Sequence, residues 1–458
     1  MADTLIMPDT LTLTPNSPHT ATGDSGLVVV RERITTVPDD LLDAAEAAAR
    51  TRAAPANVHL QICGDLAEVE AAWRAFEADA VLTPFQSFDW IATWQRHVGS
   101  RIGAQPVVVL GRDVGGRLLF ILPLAIERHG AFRRLCWLAS DLCDYNAPLL
   151  ARGWPARTGQ FAEAWRDVVR TLRKTPGCAF DLVDMSKLPQ AIGDVRNPFL
   201  DLHVLANASS GHIARLSGTW DAYYKTKRSS ESRRKERKQW KYMGDIGEVR
   251  FVHVKDGTEI DRTLETLMTQ KARSFARMGV ENLFARPGYP EFYRDVAQNR
   301  ALIHVSRLDV GAMQAATNFG LTFRGCYYLV LSSYDDGNVS RFGPGRALLR
   351  EVLRHSMERG FDRFDFTIGD EPYKLEWSDT LITLYDHISA ASLTGWPLVA
   401  RAKAFWRIKR FIKQTPALWA AFTTMRAAVA KLRGRKPETA EDHEDPPGDN
   451  RSPPIAPQ

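Results

Sequence analysis

With 458 residues, 44% of them hydrophobic and twelve of them Trp, the chain is long enough for two cores and too apolar to lack a fold. Five cysteines without a C-x-x-C pair, and eleven histidines without H-x-H or H-E-x-x-H, argue against a disulfide framework and a zinc motif; no metal is expected. The net charge of +6 is local, concentrated in residues 223–241 and 396–436.

Residues 1–56 are rich in Thr, Pro, Asp and Ala and read as disordered, as does the Pro/Glu/Asp/Gly tail 434–458. The first residues lack a basic stretch followed by an apolar run, and no stretch reaches eighteen apolar residues, so a cytoplasmic location is expected. In a first unit, 57–205, PVVVLGRDVGGRLLFILPLAIE predicts two antiparallel strands around Gly115-Gly116. An aromatic run, the helix GQFAEAWRDVVRTLRK and a buried strand CAFDLVDMS follow.

In a second unit, 206–392, residues 221–241 read as one helix whose basic positions are spread all round. ALIHVSRLDVGAMQAATNFGLTF predicts two strands about Val310-Gly311 and GCYYLVLSSY a third. A helix over GRALLREVLRHSMERG and the buried strand FDRFDFTIG complete it. Both units thus repeat the order strand, strand, strand, helix, strand, which implies a duplicated unit. The fold class is α/β with a mixed α+β sheet: tandem units of mostly antiparallel sheet flanked by helices.

The units differ at the entrance to the helix. The second has Ser340-Arg341-Phe342-Gly343-Pro344-Gly345-Arg346, where two glycines leave the backbone open, two arginines add charge and Pro344 sets the helix start. A helix N-terminus so prepared suits a pyrophosphate. The first has ARGWPARTG, without the paired glycines. After the strand FDFTI comes a cluster of Gly369, Asp370, Glu371, Pro372, Tyr373, Lys374, Glu376 and Trp377, with Asp370 and Lys374 four apart on one helical face.

This arrangement resembles the GNAT acyltransferases, whose R/Q-x-x-G-x-G/A loop grips the pyrophosphate of acetyl-coenzyme A; Ser340 stands here at the position of the usual Arg or Gln. More narrowly the chain resembles the cellulose-biosynthesis CelD-like acetyltransferases, relatives of the Fem-type peptidyltransferases. The likeness rests on Trp220–Tyr224 before a basic helix, Lys271–Arg273, F-G-P-G, Glu358–Gly360, the run Phe364–Trp377, and Ser87–Trp90 in the first unit. It implies acetyl-CoA or another acyl-CoA as donor, held by Ser340–Arg346, with no metal. Asp370 would be the base and Lys374 the oxyanion or phosphate partner, with Tyr373 protonating the leaving thiolate. Asp365 is the competing base unless it pairs with an arginine such as Arg363. Lys271, Arg273, Tyr334 and Trp377 are candidates for contacting substrate.

The expected reaction is direct transfer of an acyl group to an amine or hydroxyl of a saccharide-related or envelope-precursor acceptor. Two alternatives stand beside it: a non-catalytic binding module, and an aminoacyl-tRNA-dependent transferase drawing on the basic helix. Nucleic acid binding as such is disfavoured, since that helix lacks alternating aromatics. Residues 393–433 combine Trp, Phe, Lys and Arg without one acid, split by Pro416, and suggest either amphipathic helices resting on an anionic inner membrane face or, equally, a C-terminal helix docked on the core with its aromatics buried.

Overall fold

The computed structural model describes residues 58–369 and 371–415. They form two units: 58–211 together with 381–410, and 212–380.

The first unit opens with β1 (His59–Cys63), α1 (Leu66–Glu77) and α2 (Phe88–Trp94), then β2 (Gln105–Arg112), β3 (Leu118–His129) and β4 (Phe132–Trp137). The β2–β3 turn is held by Asp113, whose Oδ1 accepts the Gly115 and Arg117 N–H groups at 3.0 and 2.9 Å. After α3 (Gln160–Lys174) the chain returns as β5 (Leu182–Pro189), which runs parallel to β4 over three residue pairs from Arg134↔Leu182. A helix between parallel neighbours is the connection that parallel pairing demands. Trp137, Phe161, Trp165 and Phe199 form the aromatic centre of this core.

The second unit repeats the plan. From β6 (Leu205–Arg215), which carries the chain out of the first unit, come α4 (Trp220–Lys227), α5 (Ser230–Gly244), β7 (Val249–Val254), α6 (Gly257–Met278) and α7 (Tyr289–Val296). An antiparallel meander follows: β8 (Ile303–Val310), β9 (Met313–Phe323) and β10 (Cys326–Tyr334). Then come α8 (Pro344–Glu358) and β11 (Arg363–Ile368), parallel to β10. The sheet order is β6-β11-β10-β9-β8-β7, against β1-β2-β3-β4-β5 in the first unit. From β7 on, the second unit reads strand, two helices, three strands, helix, parallel strand, the order of the first from β1; β6, α4 and α5 precede it. Side chains alternate along β9: Thr317 and Phe319 meet α6 and α7, while Ala316 lies in the core under α8.

Two sequence expectations need correction and a third narrows. The stretch 221–241 is two helices, because Ser229 accepts the Ser232 N–H at 3.1 Å and starts a new helix where a continuous one was read. The second unit ends at Thr380 rather than 392. Beyond it β12 (Thr380–Ala390) pairs antiparallel with β5, from Leu384↔Pro189 to Ala390↔Leu182, and closes the first unit's sheet. The two readings of the segment from 393 narrow to partial docking: in α10 (Gly395–Gln414) Val399 packs with Leu182 and Ile388. The second amphipathic stretch, after Pro416, lies outside the described residues, as do both terminal segments. All five cysteines are buried free thiols.

Candidate active site

The site begins where β10 and β11 part. They pair only over Cys326↔Arg363, Tyr327↔Phe364 and Tyr328↔Asp365, after which β10 continues to Tyr334 without that partner. The parting is fixed by the end of β11. Thr367 takes a left-handed backbone (φ 58), its N–H reaches Asp365 Oδ1 at 2.7 Å, and its hydroxyl donates to the Leu329 carbonyl at 2.9 Å. Such a conformation is costly for a β-branched residue and is kept only where neighbours impose it. Asp365 is buried and engaged with this turn. Arg363 pairs with Asp362 at 3.2 Å.

Over the mouth of this cleft stands the N-terminus of α8. Gly343 is left-handed (φ 66), Pro344 occupies the first helical position, and no side chain caps the helix, so its first N–H groups face outward. Gly345 has a second reason to be glycine: a Cβ there would lie 3.0 Å from the Tyr334 ring. Tyr334 thus supports the loop from the end of β10. Arg341 lies over the Phe342 ring, and Phe342 packs against Tyr242 of α5. Helix α5 crosses beside the loop, leaving a shallow, open hollow lined by Glu236, Gln239, Gly343, Arg346 and Arg350. Its basic residues are therefore not all solvated: Arg228, just before α5, holds Glu236 at 2.8 Å and also meets Glu376.

The cluster after β11 is organised differently from the sequence reading. Helix α9 (Pro372–Leu375) is a single turn, so Lys374 has no helical face to share with residue 370. Lys374, 3% exposed, folds back to donate to the Ile368 carbonyl at 2.9 Å and pairs with Glu371 at 2.8 Å. That ion pair sits over Gly369 (φ 136), where a Cβ would strike the Glu371 carboxylate at 2.3 Å and Lys374 Nζ at 2.8 Å. Asp370 lies outside the described residues. Burial, reinforced by the Glu371 charge, pushes the Tyr373 phenol well above its ordinary range and keeps it protonated. Lys271 of α6 joins this group: burial lowers its pKa, with Glu371 opposing and Lys374 adding to the effect.

The remaining candidates are placed elsewhere. Arg273 pairs with Asp335 and Asp336 at 3.3 and 2.9 Å, so its charge ties α6 to the loop before α8. Trp377, 4% exposed, lies in an aromatic stack with Trp220, Tyr223 and Tyr224 at centroid distances of 6.5, 6.4 and 6.3 Å, and Arg228 sits over its ring. Its indole is committed to packing. Glu371, which the sequence reading left without a role, is the central carboxylate of the described cluster.

In the first unit the corresponding helix entrance is filled. The Gly159 N–H before α3 donates to Asp201 at 2.9 Å, so a carboxylate of the chain occupies the position of an incoming anion, and the neighbouring Phe199 is buried against Phe161 and Trp165.

Residues 230–375, from α5 to the cluster, match the model of the acetyltransferase (GNAT) domain. The matched part lies wholly within the second unit. Among solved structures, FemX matches with a TM-score of 0.50 at 8% identity, over 74% of this chain and 98% of its own. A tandem GNAT protein from the clavulanic acid biosynthesis pathway matches with a TM-score of 0.42 at 12% identity, over 73% and 99%. The C-terminal domain of a putative lysylphosphatidylglycerol synthetase from Agrobacterium fabrum matches with 0.43 at 12%, over 73% and 95%. At such identities the likeness concerns the fold. No curated protein sequence matches the chain.

Proposed function

We infer that the second unit transfers an acyl group, acetyl being the simplest, from a coenzyme A thioester to an amine or hydroxyl of a saccharide-related envelope precursor. The observation that carries this reading is the uncapped N-terminus of α8 standing over strands that part. The helix end suits the donor's phosphates, and the unpaired edge of β10 offers peptide groups to an extended pantetheine arm.

The chemistry needs a base, an oxyanion partner and a proton for the thiolate. Asp370 is the proposed base, with Glu371 beside it as competitor. The acceptor attacks the thioester carbonyl as its proton passes to that carboxylate, the C–S bond breaks, and Tyr373 gives its proton to the leaving sulfur. Lys374 donates one N–H to the Ile368 carbonyl and pairs by charge with Glu371, which leaves N–H capacity for the oxyanion. Lys271, close enough to feel both, adds charge to the same pocket. Exposed aromatics on α10 support a resting place on an anionic membrane surface at the cytoplasmic face.

Thermal unfolding of the full-length protein with acetyl-CoA, longer acyl-CoAs and aminoacyl-tRNA tests the donor. A thioester at a hundred times its dissociation constant is expected to stabilise by about 2.7 kcal/mol. Stabilisation by aminoacyl-tRNA alone would transfer the assignment to that donor, and a response to none would leave a binding module.

A further inference from the structure

Away from the acyl-transfer site, three histidines far apart in sequence converge. His253 of β7, His304 of β8 and His355 of α8 each offer a ring nitrogen, and these atoms lie within 4.8 Å of one another. The His253 and His304 rings stack at 4.1 Å, while His355 stands 5.1 and 5.2 Å from them at interplanar angles of 65° and 46°. His304 is 4% exposed, and its Nε2 has no hydrogen-bond partner among the described residues. A buried ring nitrogen left unpaired is costly and calls for an explanation. Burial favours the neutral form of all three imidazoles, the form with a lone pair to give.

We propose that His253, His304 and His355 form a binding site for one late divalent transition-metal ion, Zn²⁺ above all, with water as the fourth ligand. Three neutral nitrogen donors suit Zn²⁺, Co²⁺ or Ni²⁺ and not the oxygen-seeking Mg²⁺ or Ca²⁺. Around a tetrahedral zinc the ligand nitrogens stand about 3.3 Å apart, so the rings close inward by side-chain rotation when the ion enters. Lys255 and Arg359 oppose the added positive charge and Glu358, beside His355, offsets part of it. Phe251 and Tyr327 pack against the rings and shield the site. His355 lies three turns beyond Pro344, about 16 Å along α8, so the ion acts on the fold and takes no part in acyl transfer. It pins edge strand β7 to β8 and to α8.

Metal-stripped full-length protein titrated with Co²⁺ is expected to develop the visible absorption of a four-coordinate, nitrogen-rich site at one equivalent. Zn²⁺ should displace the bands and raise Tm. His253→Gln and His355→Gln alter partly exposed rings; their combination, with Tm in the absence of metal as the folding control, is expected to weaken Co²⁺ binding at least about a hundredfold. Absence of the bands in the wild type, or bands and affinity unchanged in the double variant, would overturn the assignment.

Discussion

Single residues shape the proposed site of the second unit through the backbone as much as through side-chain charge. Gly369 is the clearest case: its φ of 136 and the Glu371–Lys374 pair lying over it leave no room for a Cβ. Gly369→Ala should therefore scatter the cluster, lowering turnover about a hundredfold or more while donor affinity, measured by calorimetry, holds. Lys374→Ala is expected to lower turnover to a similar degree, and also to reduce stability by about 3 kcal/mol because Glu371 is left buried without its partner. Normal turnover in both variants would make the cluster structural. In the first unit Glu127 ties stability to pH. Burial alone would raise its pKa, but hydrogen bonds and charge from His129 and Arg134 prevail and hold it at about 2. The unfolded carboxyl titrates near 4.3. Its contribution, about 3 kcal/mol, is whole above that pH and disappears as pH falls toward 2. Acid unfolding of Glu127→Gln should lack this part of the pH dependence; identical acid curves would remove Glu127 from the account.

At the scale of elements, the strands and crossover helices were legible because their signals are local: alternation, a Gly-Gly turn, an amphipathic helix. The break at Ser229 was missed because basic helix formers dominate 221–241 and the short Ser229-Ser230 pair that marks the join reads equally as an exposed helical turn. The glycine loop was legible, whereas the folding back of Lys374 onto Ile368 was not, since spacing alone put it on a longer helix. Trp377 was legible as special but not as packing, because its partners Trp220 and Tyr224 lie far away in sequence. Helix α10 combines both kinds of signal. Val399 docks it on Leu182 and Ile388, yet Trp396, Phe405 and Ile408 are 67, 55 and 57% exposed beside Arg401, Lys403 and Arg407. Replacing these three apolar residues by Ser leaves the docked face intact. The wild type is expected to sediment with vesicles containing phosphatidylglycerol and to release at high salt, and the triple variant to bind at least about tenfold less. Equal binding by both would remove α10 from any membrane contact.

At the scale of the whole molecule, the duplication was readable from element order, but the path of the chain was not. Both units show three antiparallel strands, a helix and a parallel strand, yet β12, which a linear reading gives to the second unit, completes the sheet of the first. Nothing local announces this, because β12 alternates like any edge strand and its partner is nearly two hundred residues away. The contacts that fix it are specific: Asp386 accepts the Lys187 N–H at 2.9 Å, the Asn207 amide nitrogen donates to its two carboxylate oxygens at 2.9 and 2.8 Å, and the Gln190 N–H reaches the Thr383 carbonyl at 3.0 Å. The second unit is in this sense inserted between β6 and β12. Residues 58–205 alone would leave β5 as an unpaired, largely apolar edge, the kind of edge that seeks another chain. That fragment is expected to aggregate on size exclusion. A fusion in which residues 381–415 follow 58–211 through a flexible Gly/Ser linker should instead be monomeric and unfold cooperatively in urea, because it restores the β5–β12 ladder and the docking of Val399. A monomeric, cooperatively unfolding 58–205 fragment would show that β12 is dispensable and that the boundary read from the sequence near residue 205 is a true one.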